Sequence, residues 1–158
     1  MMRDDPIRRL PMALSSLVAL ALAVLPLPAA VDALRPDFLV LVVFYWSIES
    51  PRAGGLGLAF AAGLALDVER GVVLGQHALA LTLMAAWATH LRLRLRVFSL
   101  VSQSLTIFAL LTGYQFVLFW VDGATGNPVT TFSRWLAPVI GALIWPPLAG
   151  GLSRLHDR

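Results

Sequence analysis

The sequence predicts an all-α membrane protein with six transmembrane helices. Three observations predict it. Hydrophobic residues make up 58% of the 158 positions and charged residues 13%, against about 45–50% and about 25% in soluble domains. The apolar residues fall into successive runs, the longest of them matching the roughly 20 residues that cross a hydrocarbon core of about 30 Å. The 12 basic residues, all of them Arg, cluster in short segments between those runs. The length fits one integral membrane domain over residues 1–158. A net charge of +3 and a pI near 10.6 would point a soluble chain toward nucleic acid. Here the Arg residues serve orientation, and no nucleic-acid partner is expected. The absence of Cys removes disulfides, thiolate nucleophiles and Cys-based metal sites.

The first span is read over about 11–31, behind Arg3, Arg8 and Arg9. A signal peptide shares this pattern, with small residues at Ala29, Ala30 and Ala33, but the apolar runs that follow favour a first span. Pro26 and Pro28 kink or end it. The second is read over about 31–48, with Pro36 in the first helical turn and Asp37 at the positive helix end. Tyr45 and Trp46 are placed at interfacial depth. Glu49-Ser50-Pro51-Arg52 forms a tight turn. The third and fourth spans are read over about 53–68 and 72–90, followed by the basic loop Arg92–Arg96. The fifth is read over 98–121 and the sixth over 134–152, the latter broken by Pro138 and by Pro146-Pro147. A polar loop with Gly123, Gly126 and Pro128 joins them.

Orientation follows from charge. With the N-terminus inside, Arg3, Arg8, Arg9, Arg52, Arg92, Arg94, Arg96, Arg154 and Arg158 lie inside; Arg35, Arg70 and Arg134 lie outside. That bias is the positive-inside pattern, and it expects a multi-pass protein with both termini cytoplasmic.

The stretch Leu56–Leu83 organises the rest. Gly55, Ala59, Gly63, Asp67, Gly71 and Gly75 recur every fourth residue, so on a helix they share one face. A face of small residues admits a second helix to backbone contact. The expectation is a tightly packed helix pair around the polar turn of Asp67, Glu69 and Arg70. Asp67 is the sharpest single residue. A carboxylate at the centre of a span costs about 2.5–3.5 kcal/mol on the insertion scale. It is either a helix-end group meeting water or Arg70, or a polar anchor between spans or toward a partner. Arg35 and Asp37 are expected to structure the outer start of the second span. Gln103 and Gln115, twelve residues apart, fall on different faces and are expected to bond between helices. His77 is expected to be packed or interfacial. No catalytic, cofactor-binding or metal-binding set is visible: there is no HExxH, no paired carboxylates at metal spacing and no GxSxG.

Arg35-Pro36-Asp37, Tyr45-Trp46, Pro51, then Gly63, Asp67, Gly71, Leu74-Gly75, Ala78-Leu79, Phe98 and Gln103 together resemble the MreD family of bacterial rod shape-determining membrane proteins. The densest part is the D-x3-G-x2-LG-x2-AL pattern at Asp67–Leu79; Glu69-Arg70 and Val72-Val73 depart from the family's usual residues there. The resemblance implies a non-enzymatic inner-membrane scaffold of the elongasome, the machinery of rod shape and peptidoglycan synthesis, with no cofactor. It implies MreC as a binding partner, with RodA, its partner transpeptidase and MreB in the same assembly; homo-oligomers stay open. It also implies a fold similar to the six-helix substrate-binding subunits of energy-coupling-factor transporters. Gly63, Asp67, Gly71 and Gly75 are then expected to shape a lateral surface for MreC, with Arg35, Asp37 and Gln103 as further structural or partner-binding residues. Arg92, Arg94 and Arg96 face anionic lipid or a cytoplasmic partner, or serve orientation alone. The alternative is a small-molecule-binding subunit of a transporter, with Asp32, Arg35, Asp37, Asp67, Glu69 and Asp122 lining an outward-facing pocket.

Overall fold

Proline and glycine set the helix boundaries. In a computed structural model, which describes residues 6–32, 34–127 and 132–156, helix α1 (Pro6–Val24) stops just ahead of Pro26. A single turn, α2 (Ala29–Asp32), follows Pro28. Helix α3 (Phe38–Glu49) begins later than the sequence predicts. The second run is not helical back to residue 31, because Pro36 disfavours a helical Arg35. Asp37, with φ −74° and ψ 77°, is outside the helix and its carboxylate does not cap it. The short turn α4 (Pro51–Gly54) starts on Pro51. Helices α5 (Leu56–Arg70), α6 (Gln76–Val97), α7 (Leu100–Thr125) and α8 (Leu136–His156) complete the chain, α8 preceded by a 3₁₀ turn, Phe132–Trp135. Among the described residues there is no β-strand. Arg3, Ala33, Pro128 and Arg158, which the sequence reading uses, lie outside the described residues.

Helix α8 corrects another expectation. Pro138 falls within its first turn, where no N–H is required, and the helix continues through Pro146 and Pro147. Those two prolines withdraw only the N–H groups that would reach the carbonyls of Ala142 and Leu143.

The core is built around α3. Its residues Leu39–Ile48 are all buried, so it is apolar on every side, as a central helix must be. Trp46 is fully buried, and its indole N–H donates to Ser15 Oγ at 2.9 Å, tying α3 to α1. Around α3 the helices alternate in direction. The start of α3, the end of α5, the start of α6, the end of α7 and the start of α8 meet at one end of the bundle. The end of α3, the end of α6, the start of α7 and the last turns of α8 meet at the other.

The α5–α6 pair is the tightest contact. Ala59, Ala62 and Gly63 on α5 are buried, as are Ala78, Ala85 and Ala88 on α6. A Cβ at Gly63 would land on the backbone of Ala78 and His77. The small-residue face therefore extends through Ala59 and Gly63 but no further. Gly71 and Gly75 are turn residues with φ of +62° and +101°, ending α5 and preceding α6. That left-handed backbone is the conformation glycine adopts without a Cβ penalty. Neither glycine faces another helix.

The outer surface is apolar. Leu105, Trp120 and Leu143 are at least 70% exposed, while Asp67, Gln76, His77, Gln115 and Asp122 are buried. This inverts the soluble pattern and suits a hydrocarbon surrounding. By length and hydropathy, two helical stretches, Leu100–Thr125 and Phe132–Leu155, are long and apolar enough to cross a membrane. The apolar stretches Arg9–Val24 and Phe38–Glu49 are shorter.

Candidate functional site

Asp67 lies in the last turn of α5, on the side facing α6, and is 1% exposed. Its Oδ1 accepts the backbone N–H of His77 at 2.7 Å and His77 Nδ1–H at 2.8 Å. Its Oδ2 accepts the N–H of Gly75 at 2.8 Å and, at 3.5 Å, that of Ala78. The first N–H groups of a helix have no partner within it, and Gly75, at the N-cap position of α6, has no side chain to supply one. The carboxylate of the preceding helix supplies it across the turn. Only a carboxylate offers acceptors alone at both oxygens. Of the two roles open to Asp67, the geometry is that of an anchor between α5 and α6, not a contact with Arg70.

Arg70 turns the other way. Its Nη2 donates to Asp37 Oδ1 at 2.7 Å, and Nε lies 3.7 Å from Glu69 Oε2. Arg70 Nη1 also lies 3.3 Å from His77 Nε2. A guanidinium only donates, so Nε2 accepts and the His77 proton sits on Nδ1, toward Asp67.

A second set of bonds closes the circuit. Gln115 Nε2 donates to Asp37 Oδ2 at 3.4 Å, and Gln115 Oε1 accepts from Arg134 Nε at 2.9 Å. Arg134 Nη1 donates to Asp122 Oδ2 at 2.6 Å, and Asp122 Oδ1 accepts from Gln76 Nε2 at 2.5 Å. Gln76 adjoins His77 in the chain. Acids, amides and bases thus form a ring joining the entry to α3 with α5, α6, α7 and the entry to α8.

The ring borders an open cavity of about 520 Å³, whose lining includes Asp32, Arg35, Asp37, Glu69, Arg70, Gln76, Gln115, Asp122 and Arg134. The buried Gln76 Oε1 has no hydrogen-bond partner among the described residues. Among the described residues no group of three His, Asp or Glu is placed to hold a metal. The lining instead suits a polar ligand or a peptide segment that supplies hydrogen-bond donors.

The residues singled out in the sequence divide as follows. Asp67 and Asp37 belong to the ring. Gly71 and Gly75 form the turn beside it, and Gly63 fixes the helix pair below. Arg35 is at the rim, where Nη1 donates to Leu25 O at 3.0 Å and to Asp32 Oδ1 at 3.3 Å. Gln103 is elsewhere: it is at the opposite end, donating to Leu95 O at 2.8 Å and accepting weakly from Trp145 Nε1 at 3.4 Å. Gln76 and Arg134 are not singled out in the sequence, and His77 is expected there only to be packed or interfacial. The signal for them was the recurrence of polar residues at matching ends of four apolar runs.

A family model described as rod shape-determining protein MreD matches residues 6–154. The rod shape-determining protein MreD of Haemophilus influenzae is 33% identical over 133 residues, covering 82% of this chain and 80% of that protein. No solved structure matches.

Proposed function

The chain belongs to the MreD family of rod shape-determining proteins, and from that premise we propose that it is a multi-pass inner-membrane scaffold, without enzymatic activity, in the cell-elongation complex. Residues 1–158 form one membrane domain in which α1, α3, α5, α6, α7 and α8 are six spans. Both termini are cytoplasmic and the polar cavity opens outward. The fold is similar to that of the substrate-binding subunits of energy-coupling-factor transporters. What supports the spans is the alternation of six helices beneath an apolar outer surface. What supports the sidedness is charge: Arg9, Arg52, Arg92, Arg94, Arg96 and Arg154 gather at the end opposite the cavity.

MreC is the proposed direct partner, with RodA, its partner transpeptidase and MreB in the wider assembly. The site is the cavity and its Gly71–Gly75 edge, rather than a lateral glycine face. The observation that carries this is a polar cavity at the end of the bundle away from the Arg-rich loops, with a buried acceptor, Gln76 Oε1, that has no partner among the described residues. A segment of MreC just outside the membrane would reach it and supply donors. Ala137 lines the cavity without belonging to the ring. Ala137→Trp is expected to reduce co-purification of MreC at least tenfold while thermal unfolding stays within a few degrees of wild type. Unchanged co-purification would remove the cavity from the interface.

The same cavity favours a second reading, a small-molecule-binding subunit. Five of the six residues expected for that reading, Asp32, Arg35, Asp37, Glu69 and Asp122, line it. A small ligand co-purifying with the partner-free chain and displaced by Ala137→Trp would select it.

A further inference from the structure

The arginine-rich end holds a second cleft, of about 300 Å³, between α3, α6, α7 and α8; its lining includes Glu49, Arg96, Leu100, Gln103, Trp145 and Ser153. We propose that this cleft binds an anionic phospholipid, with the phosphate on Arg96 and the acyl chains along the exposed turn between α6 and α7.

Three independent observations converge on that occupant. The first is charge. The three Arg residues at the cavity end each face a carboxylate. At this end, among the described residues, Glu49 is the one carboxylate near Arg52, Arg92, Arg94, Arg96 and Arg154. A cluster of this kind attracts anionic headgroups. The second is the turn itself. Val97, Phe98, Leu100 and Val101 are 85%, 44%, 56% and 80% exposed. A turn facing water is polar; this one is apolar and is flanked by Arg, the pattern of the boundary between headgroups and acyl chains. A soluble phosphate would leave that apolar surface unused.

The third is the interior of the cleft. Arg96 Nη2 donates to Glu49 Oε2 at 2.8 Å, with the Arg96 side chain half exposed. A guanidinium has five donors in a planar fork that matches phosphate, so Arg96 has capacity beyond Glu49. The Gln103–Trp145 contact, at 3.4 Å, is weak, and with the Ser153 hydroxyl it offers donors and acceptors to a hydroxylated headgroup. Helix α7 starts at Leu100, bringing its positive end toward the same space. Glu49 thus competes with the lipid phosphate for Arg96.

The test is thermal unfolding of the full chain in mild detergent with added phosphatidylglycerol, phosphatidylcholine or glycerol 3-phosphate. Phosphatidylglycerol is expected to raise the midpoint by several degrees, and the other two are not. Arg96→Gln should lose most of that shift, while Arg94→Gln keeps it. Glu49→Gln removes the competing carboxylate, so half of the shift should be reached at several-fold less phosphatidylglycerol. Equal shifts with phosphatidylcholine, an equal shift with glycerol 3-phosphate, or equal losses in Arg96→Gln and Arg94→Gln would each overturn the proposal. So would a weaker response in Glu49→Gln.

Discussion

Replacing Asp67 with Ala is expected to cost about 3–5 kcal/mol, because it takes the acceptor from several buried donors at once. That is a large part of a total stability of about 5–15 kcal/mol. The reason is the number of donors left behind. The N–H groups of Gly75 and His77, with His77 Nδ1–H, all lie within 2.8 Å of this carboxylate. Without it, buried donors at the start of α6 go unmet, at about 1–3 kcal/mol each. His77 also loses the bond that fixes its tautomer, and Arg70 loses a properly presented acceptor. Asp67→Asn should fall between the two, because its amide keeps one acceptor oxygen but aims N–H at N–H. Thermal unfolding in detergent reads the order directly. An Asn variant as stable as wild type would mean that the carboxylate is not the anchor.

Gly63→Val is expected to cost about 3 kcal/mol or more, at or above the upper part of the overpacking range. The added Cβ meets backbone atoms of Ala78 and His77, which have no rotamer to retreat into. The α5–α6 pair must separate, which also pulls Asp67 off its donors. Two controls make the claim specific. Gly57 has nothing within 4 Å of an added Cβ, so Gly57→Ala should be neutral or slightly stabilising through helix propensity. Ala78→Gly in the Gly63→Val background should give no rescue, because the clash is with backbone rather than with the Ala78 methyl. Unfolding midpoints and the yield of monodisperse protein report both.

How far this was legible in the sequence depended on range. Apolar runs and local breakers gave the helices, since Pro26, Pro51 and the glycines act within a turn of their own position. Gly63 was legible as a close-approach residue because its neighbours at i−4 and i+4 are also small or special. The same spacing misled at Gly71 and Gly75: a period of four carries no notice that the helix has ended at Arg70. Asp67 was recognisable as costly to bury, but its partners were not, since N–H groups of the turn and of the start of α6 leave no mark on composition. The ring was the least legible part. Asp37 and Gln115 are 78 positions apart, and Gln76 and Asp122 are 46 apart. Their meeting depends on how α3, α6 and α7 pack, which no local pattern encodes. The evenly apolar character of residues 38–48 matches a helix buried on all sides.

The central claim is that the ring-bordered cavity opens on the outer side of the membrane and is where MreC docks. The chain has no Cys, and Ser133 lines the cavity, so Ser133→Cys provides a single reporter. With a membrane-impermeant maleimide on intact spheroplasts, the account predicts labelling when the protein is expressed alone and protection when MreC is co-expressed. Labelling that is absent until the membrane is broken, or that proceeds equally with and without MreC, would contradict it.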